Sequence, residues 1–222
     1  MTEQPDAQMQ QIVATWQATY PNGQVRPRSY DPEQGLLIVE CVSYAYQFQT
    51  RLTGMSLAKK ANAALGADIV RAVAAKLRDI RILVTGSRTW DDVQVLDDTL
   101  RDIWHDATQV FGPEHPVVIV HGDCRKGADF FARHWAVAND IRQEVHPADW
   151  TAPCAPECPD GHRLNRANGQ TACPTAGPRR NEAMVQLGAD ILVAFQRDNS
   201  RGTADCIRRA SQAGIPVRRI TA

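Results

Sequence analysis

Residues 81–88 read RILVTGSR, and this stretch decides the fold. The apolar run 82–84 predicts a buried β-strand, and Gly86 after it predicts a tight turn. The same order, an apolar strand and then a polar loop with glycine, recurs in PVVIVHGDCRKGAD at 116–129 and in ADILVAFQRDNSRGT at 189–203. In an open parallel sheet, ligands bind in the crevice at the carboxyl ends of the strands. We therefore expect the three loops to converge on a small, phosphorylated molecule.

Strand and helix patterns alternate from about Ile80 to the end of the chain. Strands are predicted at 81–85, 117–121, 142–146, 190–195 and 216–220. Helices are predicted at 91–109, 127–138, 179–188 and 202–213. Gly188 and Gly214 stand where two of these helices must stop. Such alternation is typical of an α/β domain with a parallel sheet covered by helices on both faces, here over 80–222.

The first part of the chain, 1–79, follows another pattern. A helix is predicted at 8–20, two strands at 24–30 and 36–42, and a second helix from about Ser43 to Leu65. Gly66 suits the end of that second helix. Residues 67–80 are apolar and fit either a helix or a strand. These elements predict a small α+β module that precedes the α/β domain.

Composition argues against several classes of protein. The net charge of zero gives no overall field toward nucleic acid or a membrane surface. No apolar run approaches the about 18 residues of a membrane span, so we expect no membrane partner. The opening MTEQPDAQMQQ lacks the basic and apolar regions of a secretory signal. We expect a reducing, cytoplasmic location, where cysteines serve as metal ligands or buried thiols rather than disulfides.

An irregular insert at 147–178 carries a metal-ligand pattern. Its candidate ligands are Cys154, Cys158, His162 and Cys173, which give C-x3-C-x3-H-x10-C. Four such ligands in a loop rich in proline and glycine suit a tetrahedral, structural zinc with no open coordination position. The alternative is that these are unbound thiols in a loop without a metal.

Residues 81–222 resemble the SLOG superfamily, specifically its small YspA-like, YpsA-related branch. The resemblance rests on TGSR at 85–88, HGDCRKGAD at 121–129, GPRRN at 177–181, GADILVAF at 188–195 and SRGT at 200–203. It implies a Rossmann-like fold and a nucleotide or nucleotide-derived ligand.

The candidate ligand-binding residues lie at the ends of strands or at the starts of the following helices. They are Gly86, Ser87, Arg88, His121, Gly122, Gly127, Asp129, Arg180, Asn181, Ser200, Gly202 and Thr203. A guanidinium such as that of Arg88 can hold a phosphate with two hydrogen bonds. Asp129 can accept sugar hydroxyls, or it can instead stabilise the start of its helix. His121 is either an acid–base group or a histidine packed at a strand end. Arg180 and Asn181 are chosen through the resemblance.

Two classes of function remain open. The first is a protein that binds or senses a nucleotide. The second is a nucleotide-processing enzyme, a phosphoribohydrolase or N-glycosidase like the Lonely-guy relatives, which cleave the base from a nucleoside monophosphate with a PGGxGTxxE loop. This chain has Cys206 where that loop has its glutamate, which favours the first class, whereas Asp129, His121 and Asp149 keep the second open. Binding of single-stranded DNA, as in the DprA branch, is disfavoured by the neutral charge.

Residues 9–78 resemble the DciA-like family, a KH-type module. The resemblance rests on Trp16, on DPEQGLLIVECVSYAYQFQTRL at 31–52 and on ANAALGADIVRAV at 61–73. It implies contact with a replicative helicase or DNA. The chain is then a nucleotide sensor coupled to a replication-associated module, and the sequence leaves a homo-oligomer open.

Overall fold

A computed structural model describes residues 4–19, 21–166 and 169–222. The chain divides after Asp79 into two compact units, and the segment Thr108–Pro116 belongs with the first of them. Among the described residues, no helix is both long enough and apolar enough to cross a bilayer.

The first unit is a three-stranded sheet with two helices. In chain order its elements are α1 (Gln4–Thr19), β1 (Val25–Asp31), β2 (Leu36–Cys41), α2 (Tyr44–Leu65) and β3 (Ala72–Leu77). The central strand β2 pairs antiparallel with β1 and parallel with β3. Ile12 and Trp16 of α1 share a buried cluster with Leu37 and Val39 of β2. This cluster is the core of the unit.

Helix α2 begins and ends where capping residues predict. The Ser43 side chain accepts a hydrogen bond from the N–H of Tyr46, and Gly66 has the left-handed conformation with φ 66°. The ambiguous segment 67–80 contains β3 and the first residue of the next strand, Ile80. The Asn62 side chain fixes this return, because its amide oxygen accepts the N–H groups of Ile69 and Val70 at 3.1 and 2.8 Å.

The rest of the chain alternates strands and helices. The elements are β4 (Ile80–Gly86), α3 (Val93–Phe111), β5 (Val117–His121), α4 (Ala128–Ala138), β6 (Arg142–Val145), β7 (Leu164–Asn165), β8 (Thr171–Ala172), α5 (Ala176–Gln186), β9 (Ile191–Gln196), α6 (Arg201–Gln212) and β10 (Val217–Thr221). The order β10-β9-β4-β5-β6 forms one five-stranded sheet in which every pairing is parallel. The predicted α/β fold is confirmed. The sequence did not predict β7 and β8, which are two antiparallel strands of two residues each inside the insert.

Both faces of this sheet are buried, as a parallel sheet requires. Along β4, Ile82 and Val84 point into a cluster with α3 and α4, whereas Leu83 points into a second cluster with α5 and α6. Because both faces of the inner strands β9, β4 and β5 are covered, these three strands read as nearly continuous apolar runs, which the sequence predicts well. The edge strands β6 (RQEV) and β10 (VRRIT) are more polar and partly exposed.

The order of the strands reverses beside β4. From β4 the chain moves outward through β5 and β6, and it later returns to the other side of β4 as β9 and β10. The loops after β4 and β9 therefore diverge at the carboxyl edge of the sheet. In open α/β sheets this switch in direction opens the crevice in which ligands bind.

Gly86 ends β4 at a place with no room for a side chain. A Cβ on this residue would overlap the Cβ of Ala128 and would lie 2.6 Å from the Phe195 carbonyl oxygen. The first turn of α4 and strand β9 therefore both pack directly against the backbone of β4. By contrast, a Cβ on Gly202, in α6, would meet no heavy atom within 4 Å.

We expect Gly86→Ala to lower the free energy of unfolding by about 1–3 kcal/mol, because the added methyl overpacks a site closed by backbone. The matched control is Gly202→Ala, which should leave stability unchanged or raise it, since alanine favours a helix more than glycine does. Urea denaturation of the two variants and the wild type measures both effects. Equal stability of the two variants would contradict this account of Gly86.

Candidate functional site

A cavity of about 570 Å³ lies at the carboxyl ends of β4 and β9. Its walls come from the loop after β4, the starts of α4, α5 and α6, the loop after β9, and Trp150 of the insert. This volume is within the range of sites that hold a small molecule or cofactor. The cavity thus occupies the edge at which the three glycine loops were expected to meet.

Most of the predicted ligand-binding residues line this cavity. They are Gly86, Ser87, Arg88, Asp129, Arg180, Asn181, Ser200, Gly202 and Thr203. The other three, His121, Gly122 and Gly127, do not line it. Lining residues that were not predicted include Thr89, Trp150, Arg201 and Asp205.

His121 is a packed histidine at the end of β5, and the structure does not place it at the cavity. Its side chain is buried, and its Nε2 lies 3.0 Å from Oε1 of Gln143 on β6. Its Nδ1 accepts the backbone N–H of Asp123 at 3.2 Å. Both ring nitrogens are therefore engaged in holding the loop after β5. This is the second of the two alternatives that the sequence left open for it.

Gly122 and Gly127 let other groups approach closely. The Arg180 guanidinium lies where a side chain on Gly122 would be, and it donates to the carbonyl oxygen of Gly122. Gly127 has φ 72°, and a Cβ on it would lie 2.7 Å from Cα of Arg88. Both glycines bring the loop after β5 close to its neighbours, Gly127 to the loop after β4 and Gly122 to Arg180.

Arg180 and Arg88 differ in how they are held. Arg180 also donates to the carbonyl oxygen of His146 at 3.0 Å and to Oδ1 of Asn181 at 3.1 Å. Arg88 is exposed, and its Cζ lies 6.0 Å from the centroid of the Trp150 ring. Arg201, the first residue of α6, is also exposed. Neither Arg88 nor Arg201 forms a hydrogen bond or an ion pair within the described part of the chain, so both guanidiniums are available to an anion.

Several polar side chains of the cavity already have partners within the protein. The Ser87 hydroxyl donates to the carbonyl oxygen of Arg197 at 2.6 Å and accepts the N–H of the same residue at 2.8 Å. The Ser200 hydroxyl caps α6 by accepting the N–H of Thr203 at 3.5 Å, and it also accepts the hydroxyl of Thr203 at 3.0 Å. The Asn181 amide donates to the carbonyl oxygen of Gly202 at 3.2 Å. These residues fix the cavity's shape.

Asp129 is a buried carboxyl in the first turn of α4. Burial raises its pKa, while the neighbouring Arg180 guanidinium and the backbone N–H groups of Cys124 and Gly122 oppose the rise. A carboxyl of this kind can hold a proton in the cavity. Cys206, by contrast, is buried outside the cavity wall, and burial raises the pKa of its thiol to about 11.

The four predicted metal ligands come together in the insert. The ligand atoms of Cys154, Cys158, His162 and Cys173 all lie within 4.8 Å of one another. The Sγ atoms of Cys158 and Cys173 are 3.9 Å apart, and Sγ of Cys154 is 3.5 Å from Nε2 of His162. Two thiolates bound at about 2.3 Å to one tetrahedral ion are about 3.8 Å apart. The cluster can therefore hold a metal ion.

The surroundings of this cluster favour its metal-binding form. The Nδ1–H of His162 donates to the carbonyl oxygen of Pro159, which leaves Nε2 directed at the cysteines. Arg163 donates to Sγ of Cys154 at 3.3 Å. Contact with Nε2 of His162, and a weaker one with Thr175, lower the pKa of the Cys173 thiol to about 6. The contacts of Arg163 with Cys154 and of Thr175 with Cys173 stabilise thiolates, and thiolates are the form that binds metals.

Comparison with known proteins adds family information. Residues 80–152 match the model of the YspA, cpYpsA-related SLOG family. The gene 61 protein of Mycobacterium phage D29 is 39% identical over 142 residues, which are 62% of this chain and 93% of that protein. No solved structure gives a significant match. The family match lies outside residues 9–78 and gives no support to their DciA-like resemblance.

Proposed function

Since this chain belongs to the YspA, cpYpsA-related SLOG family, we propose that the cavity beside β4 and β9 binds a nucleotide or a nucleotide-derived ligand. The observation that carries the proposal is a pair of arginines on the wall of one cavity, Arg88 and Arg201, which form no hydrogen bond or ion pair with the described residues. Guanidiniums form strong, paired hydrogen bonds with phosphate oxygens. A cavity that holds two of them favours an anionic ligand.

The start of α6 supports the same ligand. Helix N-termini attract anions, because their first N–H groups and the helix dipole both favour negative charge. Gly202 in this first turn has open space beside it, so the backbone is accessible from the cavity. We assign the phosphate to the region between Arg88, Arg201 and this turn. Asp129, on the opposing helix start, is then available to the sugar hydroxyls.

The insert is proposed to bind a structural zinc ion through Cys154, Cys158, His162 and Cys173. Three cysteines and one histidine form a complete tetrahedral set, and such sites stabilise small loops that lack an apolar core of their own. Thiolate ligands require a reducing compartment, so a cytoplasmic location is part of this proposal.

The first unit is proposed to connect the nucleotide site to a partner. This part of the proposal rests on the resemblance of residues 9–78 to the DciA-like family, which implies a replicative helicase or DNA as the partner. The chain would then report the presence of a nucleotide to replication.

A nucleotide-processing activity is the second candidate. The observation that favours it is the buried Asp129 carboxyl on the cavity wall, whose pKa is raised by burial, as in many general acids. Against it stands Cys206, which occupies the position of the catalytic glutamate of the Lonely-guy relatives and is buried away from the cavity. A buried neutral thiol cannot stabilise an oxocarbenium-like transition state as a carboxylate does.

Nucleotides should raise the melting temperature of the protein, because a ligand that binds only the folded state stabilises it. A panel of mono- and dinucleotides in a thermal-shift assay tests this. Replacing both Arg88 and Arg201 by alanine should weaken binding by about 1.5–3 kcal/mol or more, since charge-assisted hydrogen bonds are lost. Replacing both Arg101 and Arg218 by alanine is the charge-matched control, because these arginines pair with Asp97 and Asp102 outside the cavity. Failure of the whole panel to shift the wild type would exclude the proposed function.

Protein purified without chelators should contain about one zinc ion per chain, as a complete four-ligand site requires. Cys158→Ser should lose the metal and make 150–177 more sensitive to proteases while the sheet stays folded. Cys124→Ser, which changes a cysteine outside the cluster, should keep it. Elemental analysis by mass spectrometry measures the zinc, and metal-free wild-type protein would contradict the site.

Incubation of AMP with a stoichiometric amount of the protein for hours should release no adenine above background, because the catalytic glutamate is absent. Chromatography of the mixture measures the free base. Release by the wild type that disappears in Asp129→Asn would reverse the assignment and make Asp129 the catalytic acid.

A further inference from the structure

Trp150 is an unusual residue on the cavity wall. Of the described residues that line the cavity, it alone is aromatic. Trp90 and Trp135 are buried in the core beneath the sheet, but Trp150 is half-buried and belongs to none of the buried clusters of its unit. Packing of the core therefore does not account for an indole at this place.

Positive charges lie against the Trp150 ring. The guanidinium carbons of Arg166 and Arg88 are 5.5 and 6.0 Å from its centroid, within the range of a cation–π interaction. Arg88 is also one of the two arginines assigned to the phosphate. One side chain thus lies beside both the anion site and the aromatic surface.

The backbone around Trp150 is fixed. Its carbonyl oxygen accepts the N–H of Cys173 at 2.9 Å. The preceding carboxylate of Asp149 accepts the N–H groups of Thr151 and Ala152 at 3.0 and 2.9 Å. A Cβ on Gly177, at the start of α5, would lie 3.1 Å from the indole, so the helix backbone packs against the ring. The indole is held in place before any ligand arrives.

We propose that the indole of Trp150 is the surface on which the base of the bound nucleotide stacks, an inference that rests on the proposed function. The phosphate lies near Arg88 and Arg201, and the base extends toward the insert and displaces a guanidinium from the ring. Stacking on an aromatic ring is available to every base, because each has a π-face. This surface therefore selects ligands that have a base but does not distinguish one base from another.

The test compares AMP with ribose 5-phosphate, which has the same sugar and phosphate but no base. Isothermal titration calorimetry gives the dissociation constants for the wild type, Trp150→Ala and Trp150→Phe. Loss of one stacking partner corresponds to about a tenfold or greater weakening. We expect this loss for AMP in Trp150→Ala, an unchanged constant for ribose 5-phosphate, and most of the AMP affinity retained in Trp150→Phe.

Fluorescence gives a second readout. AMP should quench part of the tryptophan emission of the wild type, and Trp150→Phe should bind AMP without that part of the quenching. The chain has five tryptophans, so the difference between the two proteins isolates the contribution of Trp150.

The outcomes separate this inference from the function on which it rests. Equal weakening of AMP and ribose 5-phosphate in Trp150→Ala would show that Trp150 only supports the wall, and unchanged AMP affinity would show that the base lies elsewhere. Either result overturns the stacking surface and leaves the nucleotide site intact. If neither AMP nor any other nucleotide binds the wild type, the proposed function fails and the inference fails with it.

Discussion

The close approach of three loops, possible only where the chain has no side chain, is the constraint on which the cavity depends. Gly86 admits α4 and β9 against β4, and Gly127 admits the loop after β5 against Arg88. The Ser87 hydroxyl then joins the loop after β4 to the backbone of Arg197, which follows β9. Because the loops are held by packing and by hydrogen bonds within the protein, the cavity keeps its shape without a ligand.

The sequence predicted the strands and helices of the α/β domain to within a few residues. Its inner strands β4, β5 and β9 are buried on both faces and read as apolar runs, and Gly188 and Gly214 follow the helices that precede β9 and β10. Residues 67–80 could not be assigned in the same way. There the strand β3 is fixed by the side chain of Asn62, seven and eight residues before the groups that it binds, and no local pattern encodes such a contact.

The candidate site was predicted by position but not by role. Sequence places polar residues at strand ends, but it does not show which of them already have partners. Ser87, Asn181 and Arg180 face the cavity and yet form hydrogen bonds within the protein, whereas Arg201, which was not predicted, forms no hydrogen bond with the part of the chain that the structure describes. The signal for Arg201 was present, since it is the first residue of a helix that follows a strand. No sequence pattern predicted that Trp150 lines the cavity, because its position on the wall depends on how the insert folds.

The hydrogen bond from Cys173 to the Trp150 carbonyl joins the metal cluster to the wall of the cavity. If that cluster's occupancy strengthens nucleotide binding, thermodynamic reciprocity demands that the nucleotide strengthen metal binding by the same factor. The occupancy of each site would then depend on the concentrations of both ligands rather than on that of its own ligand alone. Loss of the metal would then lower the affinity for the nucleotide by that factor, so the proposed zinc site and the proposed nucleotide site would be coupled through the backbone of the insert.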